Sequence, residues 1–210
     1  METKFTEQES LAVINEMIAR ARNNVQKGAA NNMIYNGYAV AFVAVLNFIL
    51  LQLLPEDALN WSFSVWWLML PSAFIDYCIK KKLNRSAIVR TQIDGILTQL
   101  WRGFSISVVI FLVLIFGVSY AFGHWRYCLL ITPVMMLMVA IAEFVMAKIC
   151  NYKPFFWGAV CFWAGILLCL FSYCILKRGD LHFLILAVCM IIGFVIPGYQ
   201  LNSLAKKAHV

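Results

Sequence analysis

The sequence predicts an all-α polytopic membrane protein with six transmembrane helices and an N-terminal amphipathic cytoplasmic helix. Three observations carry that prediction. Of its 210 residues, 63% are hydrophobic and only 13% are charged, whereas a water-soluble domain is nearer a quarter charged. Six apolar runs, roughly 34–54, 61–79, 103–122, 127–147, 155–176 and 181–199, each approach the length that crosses a hydrocarbon core. The basic residues cluster between alternate runs, as they do in the cytoplasmic loops of multi-spanning proteins.

Residues 1–32 are polar and carry no signal peptide. Thr6 to Glu9 reads as a capping box that starts a helix. Leu11, Ile14, Ile18, Ala21 and Val25 then recur at spacings of three and four, one apolar stripe along the helix. Gly28 is the expected stop. The stripe suits a docking face for a partner or the membrane surface, or packing against the protein's own cytoplasmic side.

Residues 33–201 form the transmembrane domain, and 202–210 a cytoplasmic tail. The connectors Pro55–Asn60, Gly123–Arg126 and Lys177–Asp180 are so short that the helices they join must be antiparallel neighbours. Segment 80–102 is the longest polar interruption and holds six of the seventeen Lys and Arg residues. Within it, Ser86–Trp101 alternates Ile and Leu with Arg90, Gln92, Asp94 and Gln99, an amphipathic helix running into the third span. With the N-terminus inside, successive inner segments hold four, six, two and two bases, and the outer connectors none, one and two. A fourteen-to-three split puts both termini in the cytoplasm.

The odd spans open alike, with Tyr35-Asn36-Gly37, Trp101-Arg102-Gly103 and Phe156-Trp157-Gly158. The even spans close alike, with Asp76, Glu143 and Asn202 each five residues before a lysine. These echoes suggest three tandem hairpins in the same orientation.

Asp76, Glu143 and Asn202 are the candidate intramembrane polar site. A carboxyl inside a span is costly and usually faces a cavity or a partner. Glu143 and Asp76 are close enough to the basic ends of their spans that pairing with a nearby Lys or Arg at headgroup level is the favoured expectation. Pro71, Pro133 and Pro197 fall within or near the ends of even spans and are expected to bend them. His124, His182 and His209 are too scattered for a zinc site, and HExxH, GxSxG and Gly-rich phosphate loops are absent. Seven scattered cysteines without a CxxC pair read as small buried hydrophobes.

The net charge of +7 is explained by anionic inner-leaflet headgroups, so nucleic-acid binding is not expected. No cofactor and no enzymatic activity are expected. The leading function is an interaction or regulatory scaffold that presents its cytoplasmic face to a protein partner or to a second copy of itself. The alternative is a small proton-coupled or cation transporter using Glu143 and Asp76.

Several short stretches support a family-level comparison. They are Glu9-Ser10-Leu11 through Ile18, Asn36-Gly37-Tyr38, Val89 to Trp101, Lys153-Pro154-Phe155 with Gly158, and Ile196-Pro197-Gly198-Tyr199. In these the chain resembles a family of uncharacterised six-span inner-membrane proteins found in Bacteroidetes bacteria. The resemblance implies a multi-pass protein of the bacterial inner membrane and brings no activity with it. Span one has Tyr35-Asn36-Gly37 where the family pattern has a tryptophan-glycine opening, and Glu143 is not part of that pattern.

Overall fold

The computed structural model describes residues 7–55, 59–84 and 92–207; side chains are described in these ranges apart from 7–29, 59–60, 76, 79–84, 92–94, 125–126 and 204–207. Every regular element among the described residues is helical: α1 (Glu7–Leu53), α2 (Leu59–Ser62), α3 (Met69–Asn84), α4 (Gln92–Phe122), α5 (Ile131–Ile149), α6 (Lys153–Cys174), α7 (Leu181–Met190) and α8 (Ile196–Lys207). Two 3₁₀ segments, Phe63–Leu68 and Trp125–Leu130, precede α3 and α5, and a π-helical segment, Ile191–Val195, joins α7 to α8.

Five stretches among the described residues are long and apolar enough to cross a membrane: Ala30–Leu53, Gly95–Phe122, Tyr127–Ile149, Lys153–Cys174 and Leu181–Ser203. The second of the six expected runs is helical but broken, with a shorter apolar stretch at Phe63–Ile75. The chain is thus an all-α polytopic membrane protein with six helical apolar segments, five of them of full spanning length.

The expected stop at Gly28 does not occur. α1 runs through it without interruption for 47 residues, about 70 Å at 1.5 Å per residue. A glycine inside a helix costs only about 1 kcal/mol, which the long helix on both sides outweighs. The amphipathic stretch expected to run into the third span does so, with Gln92–Trp101 forming the first turns of α4; residues 86–91 lie outside the described ones. Thr6 of the expected cap lies outside the described residues.

The prolines act differently from the bends the sequence suggested. Pro71 and Pro133 are each the third residue of an α-helix, Pro154 the second of α6, and Pro197 the second of α8. A proline is tolerated in the first turn of an α-helix, where its missing N–H has no partner within that helix; at Pro197 the π segment runs on into α8, so the Gly193 carbonyl four residues earlier loses its α-helical donor. The turn before the proline departs from α geometry in three of the four cases. Ahead of Pro71 and Pro133 the backbone tightens to 3₁₀, and ahead of Pro197 it widens to π. Spans two and four therefore open alike, a six-residue 3₁₀ segment and then a proline three residues into the helix.

That likeness does not extend to three equivalent hairpins. The most extensive packing joins α5 to α6, and α1 to α7 and α8; α3 leans on α1 and α4 on α5. The aromatic-glycine openings diverge as well. Gly37 presses on Val195 and Gly158 on Gly193, but Gly103 faces open space. The core is thus α1, α5, α6 and α7–α8. On α4, Val113, Leu114, Phe116 and Tyr120 stand exposed, a surface suited to hydrocarbon rather than water.

Short connectors turn the chain through left-handed residues. α4 ends with Gly123 at φ +67° and α5 with Asn151 at φ +48°. His124 N–H then donates to Ser119 O, and Tyr152 N–H to Ala147 O, both at 3.1 Å. This is the Schellman arrangement that satisfies orphan carbonyls. The α6–α7 connector is held by a clasp. Gln52 Nε2 donates to Asp180 Oδ2 at 2.7 Å, and Arg178 donates through Nε (3.2 Å) and a terminal nitrogen (2.5 Å). Burial alone pushes the Asp180 carboxyl up, but Arg178, its own backbone N–H and Gln52 outweigh that and hold it below the ordinary 3.8.

A carboxyl held down in this way stabilises the fold above its unfolded range, and the contribution disappears as pH falls through the lowered value. The clasp is surface-lying, so solvent screening keeps its effect small. Asp180→Asn is expected to unfold more easily than the parent at pH 7, with the difference closing once the pH drops below the Asp180 value. Unfolding of the purified protein in detergent at pH 7 and at pH 2 to 3 checks this.

Candidate functional site

Glu143 lies six residues before the end of α5, about 9 Å along the helix axis. That depth alone allows a headgroup position. The face it occupies decides otherwise: Glu143 is 0% exposed, and neither carboxyl oxygen has a hydrogen-bond partner. The expected pairing with a lysine at headgroup level is not present, because the side chain is directed into the contact with α6 and the π segment rather than toward Lys148 or Lys153.

Glycines make that contact possible. A carbon added at Gly158 of α6 would strike both Glu143 Oε2 and the backbone carbonyl oxygen of Gly193. Conversely, a carbon added at Gly193 would meet the Phe162 ring at 2.8 Å and the Gly158 carbonyl oxygen at 3.2 Å. Small residues let membrane helices approach backbone to backbone. Here they bring a carboxyl and a backbone carbonyl to the two sides of one absent side chain.

The Gly193 carbonyl has a further peculiarity. Its α-helical donor would be the N–H of residue 197, which is proline. The π segment is the local answer, with Ile196 N–H bonding to Ile191 O. Such widened turns recur at functional sites. Trp101 of α4 closes one flank, edge-on to Phe194 at 6.1 Å. Tyr152, in the α5–α6 connector, donates to Pro197 O at 3.4 Å.

Asn202 does not join this cluster. Asn202 Nδ2 donates to Asn31 Oδ1 at 3.3 Å, tying α8 to α1. The side chain of Asp76 lies outside the described residues, as do those of Leu11, Ile14, Ile18, Ala21 and Val25 on the helical backbone of α1. Two further buried side chains carry an unpartnered polar atom, Asn47, which the sequence reading passed over, and His182, which it weighed only as a zinc ligand. Asn47 on α1 is 0% exposed with both amide atoms unpartnered. His182 at the start of α7 is 5% exposed; its Nε2 lies 3.0 Å from Cys169 O and its Nδ1 has no partner. The signal for Asn47 was a lone amide in an apolar run. For Gly193 it was the position four residues before Pro197.

Among the described residues no three His, Cys, Asp or Glu side chains come together as a metal-binding set. An open groove of about 580 Å³ runs along α1 beside Tyr199, lined by Tyr35, Tyr38 and Phe42 among others, and Glu143 is not part of it. No protein-family model, no curated protein and no solved structure matches the chain.

Proposed function

We propose that the protein is a small non-enzymatic carrier in which Glu143 takes up and releases a proton or a cation. The observation that carries this reading is the fully buried Glu143 carboxyl without a hydrogen-bond partner, set against a backbone carbonyl at a π-helical turn. A bare carboxylate sealed in such a place costs several kcal/mol or more. The site therefore calls for a proton or a cation, and intramembrane carboxyls of this kind mark proton and ion paths. Proton flux into liposomes, compared between the parent protein and Glu143→Gln, tests the reading.

The proposal places the protein in the bacterial inner membrane with both termini in the cytoplasm. The distribution of its bases and the resemblance to the Bacteroidetes family support this. The basic end would then face anionic inner-leaflet headgroups.

A second reading, a scaffold that docks a cytoplasmic partner or a second copy of the chain, is favoured by one observation. The N-terminal helix is a continuous extension of the first span from Glu7 to Leu53, far longer than the hydrocarbon requires. A helix that continues the span is not folded back along the membrane surface by a turn at Gly28. Charge placed at both Ile14 and Ile18 is expected to abolish partner capture in a pull-down while membrane insertion is retained. Undiminished capture would count against docking through this stripe.

A further inference from the structure

Two oxygen atoms border the space that Gly158 leaves open. One is Glu143 Oε2 and the other is the Gly193 carbonyl oxygen; a carbon added at Gly158 would strike both. Glu143 is 0% exposed, and neither of its oxygens has a hydrogen-bond partner. An ionised carboxylate only accepts hydrogen bonds, and so does a carbonyl, so the two repel unless something lies between them. The Gly158 carbonyl is also close, 3.2 Å from a carbon added at Gly193. It lies inside α6, however, where the N–H of Phe162 is its α-helical donor. The Gly193 carbonyl has lost the equivalent donor to Pro197. It is therefore the acceptor available to Glu143.

We propose that Glu143 holds a proton rather than a metal ion, as a neutral acid whose O–H donates to the Gly193 carbonyl, with Pro197 the positioning residue that keeps that carbonyl open. Ligand count decides against a metal. Ca²⁺ takes about six to eight oxygens and Mg²⁺ a near-octahedral set, and alkali cations in membrane filters are held by rings of carbonyls. This contact offers one carboxyl and one open carbonyl. The other carboxylate whose side chain is described, Asp180, is engaged by Arg178 and Gln52. A proton needs only the two oxygens, and it removes the charge that a sealed site penalises. No described neighbour supplies a compensating charge. Arg102 of α4, Lys148 of α5 and Lys153 of α6 are exposed. Neither α1 from Ala30 onward nor α8 up to Ser203 contains a charged residue. The Cys161 thiol of α6 acts on the carboxyl electrostatically, and the Tyr152 hydroxyl is spent on Pro197 O. On release the acid O–H bond breaks and the proton passes to water. A carboxylate then faces a carbonyl, so α5 must part from the π segment for the proton to leave. The inference deepens the carrier reading by naming the proton as its substrate, and rests on that reading only for transport; the paired acid stands on its own geometry.

Infrared difference spectra of the full-length protein in detergent near neutral pH, parent against Glu143→Gln, test the pair. One carboxylic-acid carbonyl band is expected to be lost in Glu143→Gln, at the lowered frequency of a hydrogen-bonded acid. Loss of an ionised carboxylate band instead overturns the proposal, as does an acid band at the frequency of an unbonded acid. Pro197→Ala supplies an N–H that can claim the Gly193 carbonyl, so the acid band is expected to shift to higher frequency. An unmoved band in a folded Pro197→Ala protein overturns the pairing with Gly193. If that variant fails to fold, the frequency of the parent band still decides between a bonded and an unbonded acid. The band is expected to persist in excess Na⁺, K⁺, Mg²⁺ or Ca²⁺, and its discharge by any of them overturns the proton in favour of that metal. A hydrogen-bonded acid in a parent protein that shows no proton flux in liposomes would refute the carrier reading and leave the pair standing. Flux that depends on Glu143 without such a band would do the reverse.

Discussion

Glu143→Gln is expected to abolish proton-coupled flux while leaving the protein folded. Glutamine keeps the length and nearly the volume of glutamate but cannot gain or lose a proton near neutral pH. Its amide can also donate to the Gly193 carbonyl, which borders the same space, so the substitution need not leave a new buried group unsatisfied. A role confined to packing predicts unchanged flux, whereas a titrating role predicts loss of flux with stability held within about 1 kcal/mol. Internal pH of protein-loaded liposomes under an imposed membrane potential gives the flux, and detergent unfolding gives the stability. Equal flux from the parent and from Glu143→Gln would remove Glu143 from any path, and a silent parent across cations would favour the docking reading.

Gly158→Ala is expected to be among the most destabilising single changes in the transmembrane domain. The new methyl group meets an oxygen of Glu143 and the Gly193 carbonyl oxygen at once. The carboxyl can swing, but the carbonyl belongs to a backbone already widened ahead of Pro197. Overpacking of this kind costs about 1–3 kcal/mol. Gly103→Ala is the control, because a methyl there meets nothing within 4 Å and alanine is the better helix former by about 1 kcal/mol. Adding Glu143→Ala to Gly158→Ala should recover the part of the cost due to the carboxyl and none of the part due to the carbonyl. Thermal unfolding of the four purified proteins measures both shares. A Gly158→Ala protein as stable as Gly103→Ala would mean that α6 and the π segment are not held this closely.

The two kinds of information in this chain separate along physical lines. Apolar run length, basic-residue asymmetry and short connectors are local properties, and they were enough to read an all-α polytopic membrane protein with helices near each of the six runs. Where a reading depended on a local competition it sometimes failed. Gly28 looked like a stop because glycine is a poor helix residue, yet its cost is small beside the cooperativity of 47 helical residues. The run at 61–79 looked continuous because its residues are apolar, but Pro71 imposed a first turn there and left a 3₁₀ segment before it.

The site was legible only in part. Glu143 stood out as a carboxyl in an apolar run, but its distance from the helix end is compatible with lipid headgroups or with a sealed interior. The choice rested on partners fifteen and fifty residues further along, Gly158 and Gly193. The same holds for Met136 and Cys189, which are distant in the chain and meet only at the notch that Gly165 opens. Hydrophobic pattern records how far each residue should stand from water. It does not record which glycine notch on a neighbouring helix will receive a given side chain, because that depends on backbone approach between segments distant in sequence.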